Sequence, residues 1–87
     1  MSRLAASFPS LAGKPGVEPW EPQLLDKWAS APKTGFPERY SARFVLNLWN
    51  PDRDWNCGAF DLHIAMIAWD TAHRFSFAVW VMDPWLP

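Results

Sequence analysis

Eighty-seven residues with eight Lys plus Arg against nine Asp plus Glu carry a formal net charge of −1, and no block of like charge could follow a phosphate backbone, which argues against nucleic-acid binding. A chain this short buries only roughly 60 to 65% of its unfolded surface, but 49% of its residues are apolar and seven are Trp, so large side chains offset the short length and a folded domain is expected, not a disordered one. A single Cys excludes an intramolecular disulfide framework and a multi-Cys zinc site, no uninterrupted apolar run reaches the ~18 residues of a membrane span, and a soluble, cytoplasmic protein is the expectation.

The chain opens with MSRLAASFPSLAGKPG, whose apolar run is broken by Ser and Pro and is too short for the apolar region of a signal peptide. Pro9, Pro15, Pro19, Pro22, Pro32 and Pro37 fall in the first 37 residues and forbid a long regular element there. Residues 1–19 are expected as an extended arm, and residues 20–87 as one small helical domain. Within EPQLLDKWASAP, Pro22 suits a first helical turn, Leu24, Leu25 and Trp28 recur at helical spacing, and Pro32 stops the element.

FPERYSARFVLNLWNP predicts a helix over 37–49. Tyr40, Phe44 and Leu48 stack on one side, Val45 and Trp49 widen the stripe, and Arg39, Arg43 and Asn47 form the opposite, wet face. PDRDWNCG is then a loop, with Asp54 or Asn56 available to cap the next helix near residue 58. That helix, AFDLHIAMIAW, is apolar over most of its circumference, with Asp61, Ala65 and Ala68 on one narrow side, and is expected to be the central, most buried element.

The closing stretch supports two periodicities. As a helix over 71–82 capped by Asp70, it places Phe75, Ala78, Val79 and Met82 on the core side and His73, Ser76, Phe77 and Trp80 on the other. As a strand, Phe75, Phe77, Val79 and Val81 share a face. The helix is preferred because no second strand is evident to pair with it. One continuous helix over 59–82 would be about 36 Å long, more than this chain can cover, unless Asp70 breaks it or a second molecule covers it.

Several constellations bear on chemistry. DRDWNCG places Asp52, Asp54 and Asn56 at calcium-loop spacing, but Gly58 and His63 stand at the wrong positions to turn the loop and close the shell. Cys57 near a helix N-terminus, with His63 and His73 downstream, sketches a thiol nucleophile and base with no motif for an oxyanion hole, whereas packing as a small hydrophobe under Trp55 or Phe60 is the simpler role. His63 and Asp61 diverge by about 200° on a helix, so only Asp70 and His73 share a face as metal ligands, and His63 is expected as a buried neutral imidazole. Arg39, Arg43 and Arg53 are a sparse basic set for DNA. Trp28, Trp49 and Trp69 lie on core stripes, and DPWLP either folds back as a lid or presents Trp85 as an exposed anchor.

The expected fold is therefore all-α, a small bundle of three to four short helices with an extended proline-rich N-terminal arm. Its helices carry more large apolar surface than one short chain can bury, which points to association. The expected function is a small accessory protein acting as a protein–protein interaction module, either as a homodimer or on a larger protein partner, through His73, Phe77, Trp80 and Trp85. The alternative is a Cys/His-dependent or metal-dependent enzyme using Cys57, His63, Asp70 and His73. No cofactor is expected.

Overall fold

Proline punctuation divides the chain into short helices, and the computed structural model, which describes residues 1–87, contains five of them and no strand. They are α1 (Ser2–Ala6), α2 (Pro22–Ala29), α3 (Phe36–Trp49), α4 (Leu62–Ala68) and α5 (Thr71–Met82). Pro22 and Pro37 each occupy a first helical turn, where the missing N–H has no intrahelical partner to lose. The all-α expectation is met, with helix over 71–82. Trp69 and Asp70 leave helical geometry, and the Asp70 carboxylate accepts the His73 N–H at 3.0 Å, so residues 59–82 form two helices separated by a cap.

The centre of the molecule is α3, not the helix that follows it. α1, α2 and α4 all pack on α3, which buries Tyr40, Ser41, Ala42, Phe44, Val45 and Leu46. The Phe44 ring lies 5.2 to 6.3 Å, centroid to centroid, from Phe8, Phe60, Trp69, Phe77 and Trp80. Several of these pairs are edge-on, the arrangement that aromatic quadrupoles favour.

Residues 1–19 are not an extended arm. Ala5, Phe8 and Leu11 are completely buried and Val17 nearly so, all within the one apolar core. After α1 the chain continues in successive turns: Leu11 and Ala12 donate N–H groups to the Phe8 carbonyl, Lys14 to Leu11, and Val17 to Lys14. Gly16 has φ +81°, and a Cβ there would collide with the backbone of Glu21 and Leu25. Prolines exclude regularity but not burial, and a small core gains from every apolar side chain brought to it.

α4 also departs from expectation. It begins at Leu62, capped by Asp61, whose carboxylate accepts the Ile64 N–H at 3.0 Å, and not by Asp54 or Asn56. Its narrow side faces inward, with Ala65 its only buried residue, while Leu62, His63 and Ile67 are exposed. A small residue at the contact lets two helix backbones approach closely, and the bulky positions then splay outward.

α5 has the expected length and cap but is turned about its axis. His73 is buried and Ser76, Phe77 and Trp80 are half-buried, whereas Phe75, Ala78, Val79 and Met82 face water. Phe77 and Trp80 each lie 5.2 Å from Phe44, and the Ser76 hydroxyl donates to the Ser7 carbonyl at 2.7 Å. Packing on Phe44 and polar partners on the N-terminal segment outweigh the stripe of Phe75, Ala78, Val79 and Met82.

Candidate functional site

The polar face of α3 is not a wet face. Arg39 donates to the carbonyls of Ala29, Ala31 and Thr34, Arg43 to that of Cys57, and Asn47 to that of Gly58 at 3.1 Å. Arg43 also lies over Tyr40, and Arg53 over Trp55, each about 4.5 Å from the ring centroid. All three arginines considered for a DNA patch are thus engaged within the chain.

The same loop is held from α2 by Asp26, which is 2% exposed. Its carboxylate oxygens accept the N–H groups of Asn56 at 3.0 Å and Cys57 at 2.9 Å, which fixes the loop between α3 and α4. Cys57 is buried beside it, and its thiol is pushed up to about 12, chiefly by burial and then by hydrogen bonding and repulsion from Asp26. This is the opposite of an activated thiolate. Cys57 therefore behaves as a packed thiol. His63 is exposed while His73 is buried, and no three His, Cys, Asp or Glu side chains converge as metal ligands.

His73 joins α5 to the N-terminal segment. Its Nδ1 lies 2.7 Å from Asp70 Oδ1 and its Nε2 lies 2.7 Å from the Ser10 hydroxyl. The Asp70 carboxylate can only accept, so Nδ1 carries the proton and Nε2 accepts from Ser10. The Asp70 carboxyl is held below its ordinary value, first by the His73 backbone N–H and then by the ring. Further along, Ser41 donates to the Pro37 carbonyl at 2.9 Å and accepts the Trp69 indole N–H at 3.0 Å. The connectivity is that of a serine nucleophile, base and orienting acid. Acyl transfer also needs free donors for an oxyanion; here the Ser10 N–H points at His73 Nε2 and those of Leu11 and Ala12 at Phe8. The arrangement forms a clasp.

Two surfaces remain. The outward strip of α5 exposes Phe75 (68%), Val79 (53%) and Met82 (87%). Beside it, a groove of about 540 Å³ runs between α1, α5 and the C-terminal tail, lined by Arg3, Leu4, Val79, Trp80, Asp83 and Trp85, among others. The tail folds back, with the Trp80 indole donating to the Trp85 carbonyl at 2.9 Å, yet the Trp85 side chain stays half exposed. Of the four residues expected to contact a partner, the structure turns His73, Phe77 and Trp80 toward the core and leaves Trp85 accessible. Ser10, Ser41 and Asp26 were not singled out in the sequence; Asp26 alone left a trace, as an acid between Leu25 and Ala29 on the inward side of a short helix. No family model, curated protein or solved structure matches this chain, and the assignment of a function rests on the geometry of these residues.

Proposed function

We propose that the protein is a small interaction module that docks through the outward face of α5, and that the occupant of that face is a second copy of the chain. The observation that carries this reading is the exposure of Phe75, Val79 and Met82 on one helix face. Single exposed apolar residues are ordinary, whereas a continuous apolar patch marks a contact surface. Positions 75, 78, 79 and 82 follow the three-and-four spacing by which helices pack on helices. None of these side chains ionises, so the strip itself brings no like charges together across a twofold axis.

Size sets the strength expected. Twelve residues give α5 a length of about 18 Å, so the strip supports an interface at the low end of the specific range, below about 1,200 Å² in total. The reading is therefore of a weak, concentration-dependent dimer.

Light scattering across a wide concentration range and at two salt concentrations tests it. The expected result is a mass that climbs toward twice 10.0 kDa and persists at high salt, while Phe75→Lys and Met82→Lys stay monomeric with unchanged helix content. A chain that remains monomeric at its highest attainable concentration overturns self-association.

A further inference from the structure

We propose that the groove between α1, α5 and the C-terminal tail binds a small aromatic monocarboxylate, with its ring against Trp80 and Trp85 and its carboxylate on Arg3. The volume of about 540 Å³ falls within the roughly 300 to 1,000 Å³ of small-molecule sites. Its walls are mainly apolar, supplied by Leu4, Val79 and the two indoles. Flat π-faces accept a flat ring by offset or edge contact.

The chain's own hydrogen bonds leave few polar groups for a ligand. The single donor of Trp80 is spent on the Trp85 carbonyl. The Ser7 hydroxyl donates to the Leu4 carbonyl, and that of Ser76 to the carbonyls of Ser7 and Ala72. Arg3 and Asp83 line the same groove, and neither side chain has an ion-pair partner in the chain, whose single carboxylate pair is His73 with Asp70. A guanidinium offers a planar fork of donors that matches a carboxylate in two parallel bonds. Asp83 sets the limit on charge: a second carboxylate on the ligand would meet it and be repelled. An apolar ring with one carboxylate gives Arg3 a partner and the indoles an apolar face, while holding the repulsion from Asp83 to a single charge.

Val79 belongs to both surfaces, but Arg3 and Trp85 lie off the strip of Phe75, Val79 and Met82, so variants at these two positions test the groove apart from the dimer. Isothermal titration of the full chain with 3-phenylpropionate and with its neutral amide tests it. The acid is expected to bind saturably and the amide about tenfold more weakly or worse, the loss of one charge-assisted pair. Arg3→Gln should reduce affinity for the acid by a similar factor and leave the amide unaffected. Asp83→Asn should tighten the acid, and Trp85→Ala should weaken both probes. Arg3, Asp83 and Trp85 are all exposed, and unchanged circular dichroism in each variant keeps the comparison clean. Absence of saturable binding, equal affinity for acid and amide, or an Arg3→Gln variant that binds like the parent overturns the assignment.

Discussion

Ser10 and His73, 63 positions apart, meet twice: the serine hydroxyl lies 2.7 Å from Nε2, and the serine N–H points at the same nitrogen from 3.3 Å. One imidazole thus ties the turn after α1 to the first turn of α5. It stands beside Phe8, whose ring centroid is 6.4 Å from its own. The contact joins the N-terminal segment to α5 between two completely buried side chains, Phe8 and Leu11.

Ser10→Ala should therefore act on the N-terminal segment first. It leaves the buried Nε2 with one long partner, at a cost of about 1 to 3 kcal/mol, and His73→Leu should cost at least as much by removing both contacts. Urea denaturation gives the global loss. Hydrogen exchange gives its location: amides of residues 8–17 should exchange faster while those of α3 stay protected. Unchanged exchange in that segment means that apolar packing alone retains it.

Asp26 is the second anchor. It is a buried carboxylate whose compensation is two backbone N–H groups. Asp26→Ala orphans both donors and should destabilise by roughly 3 kcal/mol or more. Asp26→Asn should also destabilise, since an amide oxygen can accept from one N–H while its NH2 group faces the other. The loop between α3 and α4 should loosen in both variants, read as faster amide exchange across residues 52–60. A stable Asp26→Ala protein with protected loop amides means that water replaces the carboxylate at little cost.

What the sequence made legible were the elements, through strong local signals. Pro37 with the Tyr40, Phe44 and Leu48 stripe marks α3, and Asp70 marks the break before α5. The facing of α5 was not legible, because both of its sides are apolar. Phe75, Val79 and Met82 compete with Phe77 and Trp80, and the choice is made by Phe44, Ser7 and Ser10, which are remote in sequence. The N-terminal segment failed for another reason: turns hide periodicity, so Phe8, Leu11 and Val17 carry no pattern despite their burial. The clasp and the Asp26 anchor are single polar side chains whose meaning arises only from long-range contact. Arg39, Arg43 and Asn47 do share one face, but it is not wet, because most of their carbonyl partners lie in the loops after α2 and α3, where no periodicity marks them.

Cys57 gives a prediction with a clear sign. A folded-state pKa raised to about 12 from an ordinary 9.0 means that the native fold favours the protonated thiol. Its contribution to stability is complete below the ordinary value and is lost as the pH rises from there toward the folded value. The native thiol should be nearly inert to a disulfide reagent under mildly alkaline conditions and react at once after unfolding in urea. Thermal stability should also fall as the solution is taken above the ordinary thiol range, and less so in Cys57→Ala. Rapid native modification with a midpoint at the ordinary thiol value would show that the loop opens freely and that the thiol is accessible.

Asp70 shows the opposite dependence. Its folded pKa lies below the ordinary 3.8, chiefly because the carboxylate accepts the His73 backbone N–H. A depressed carboxyl pKa contributes stability above the ordinary value, and that contribution disappears as the pH falls through the folded value. The wild type should therefore melt above Asp70→Asn near neutrality, and the two should converge only once the solution is more acidic than an ordinary carboxyl requires. The site is solvent-exposed, so added salt should narrow the gap at neutral pH. Melting curves of both proteins across that range check the sign: a gap that persists to the most acidic point means that Asp70 acts through its shape as a cap, and a gap that closes already near neutrality means that its charge is not stabilised by His73.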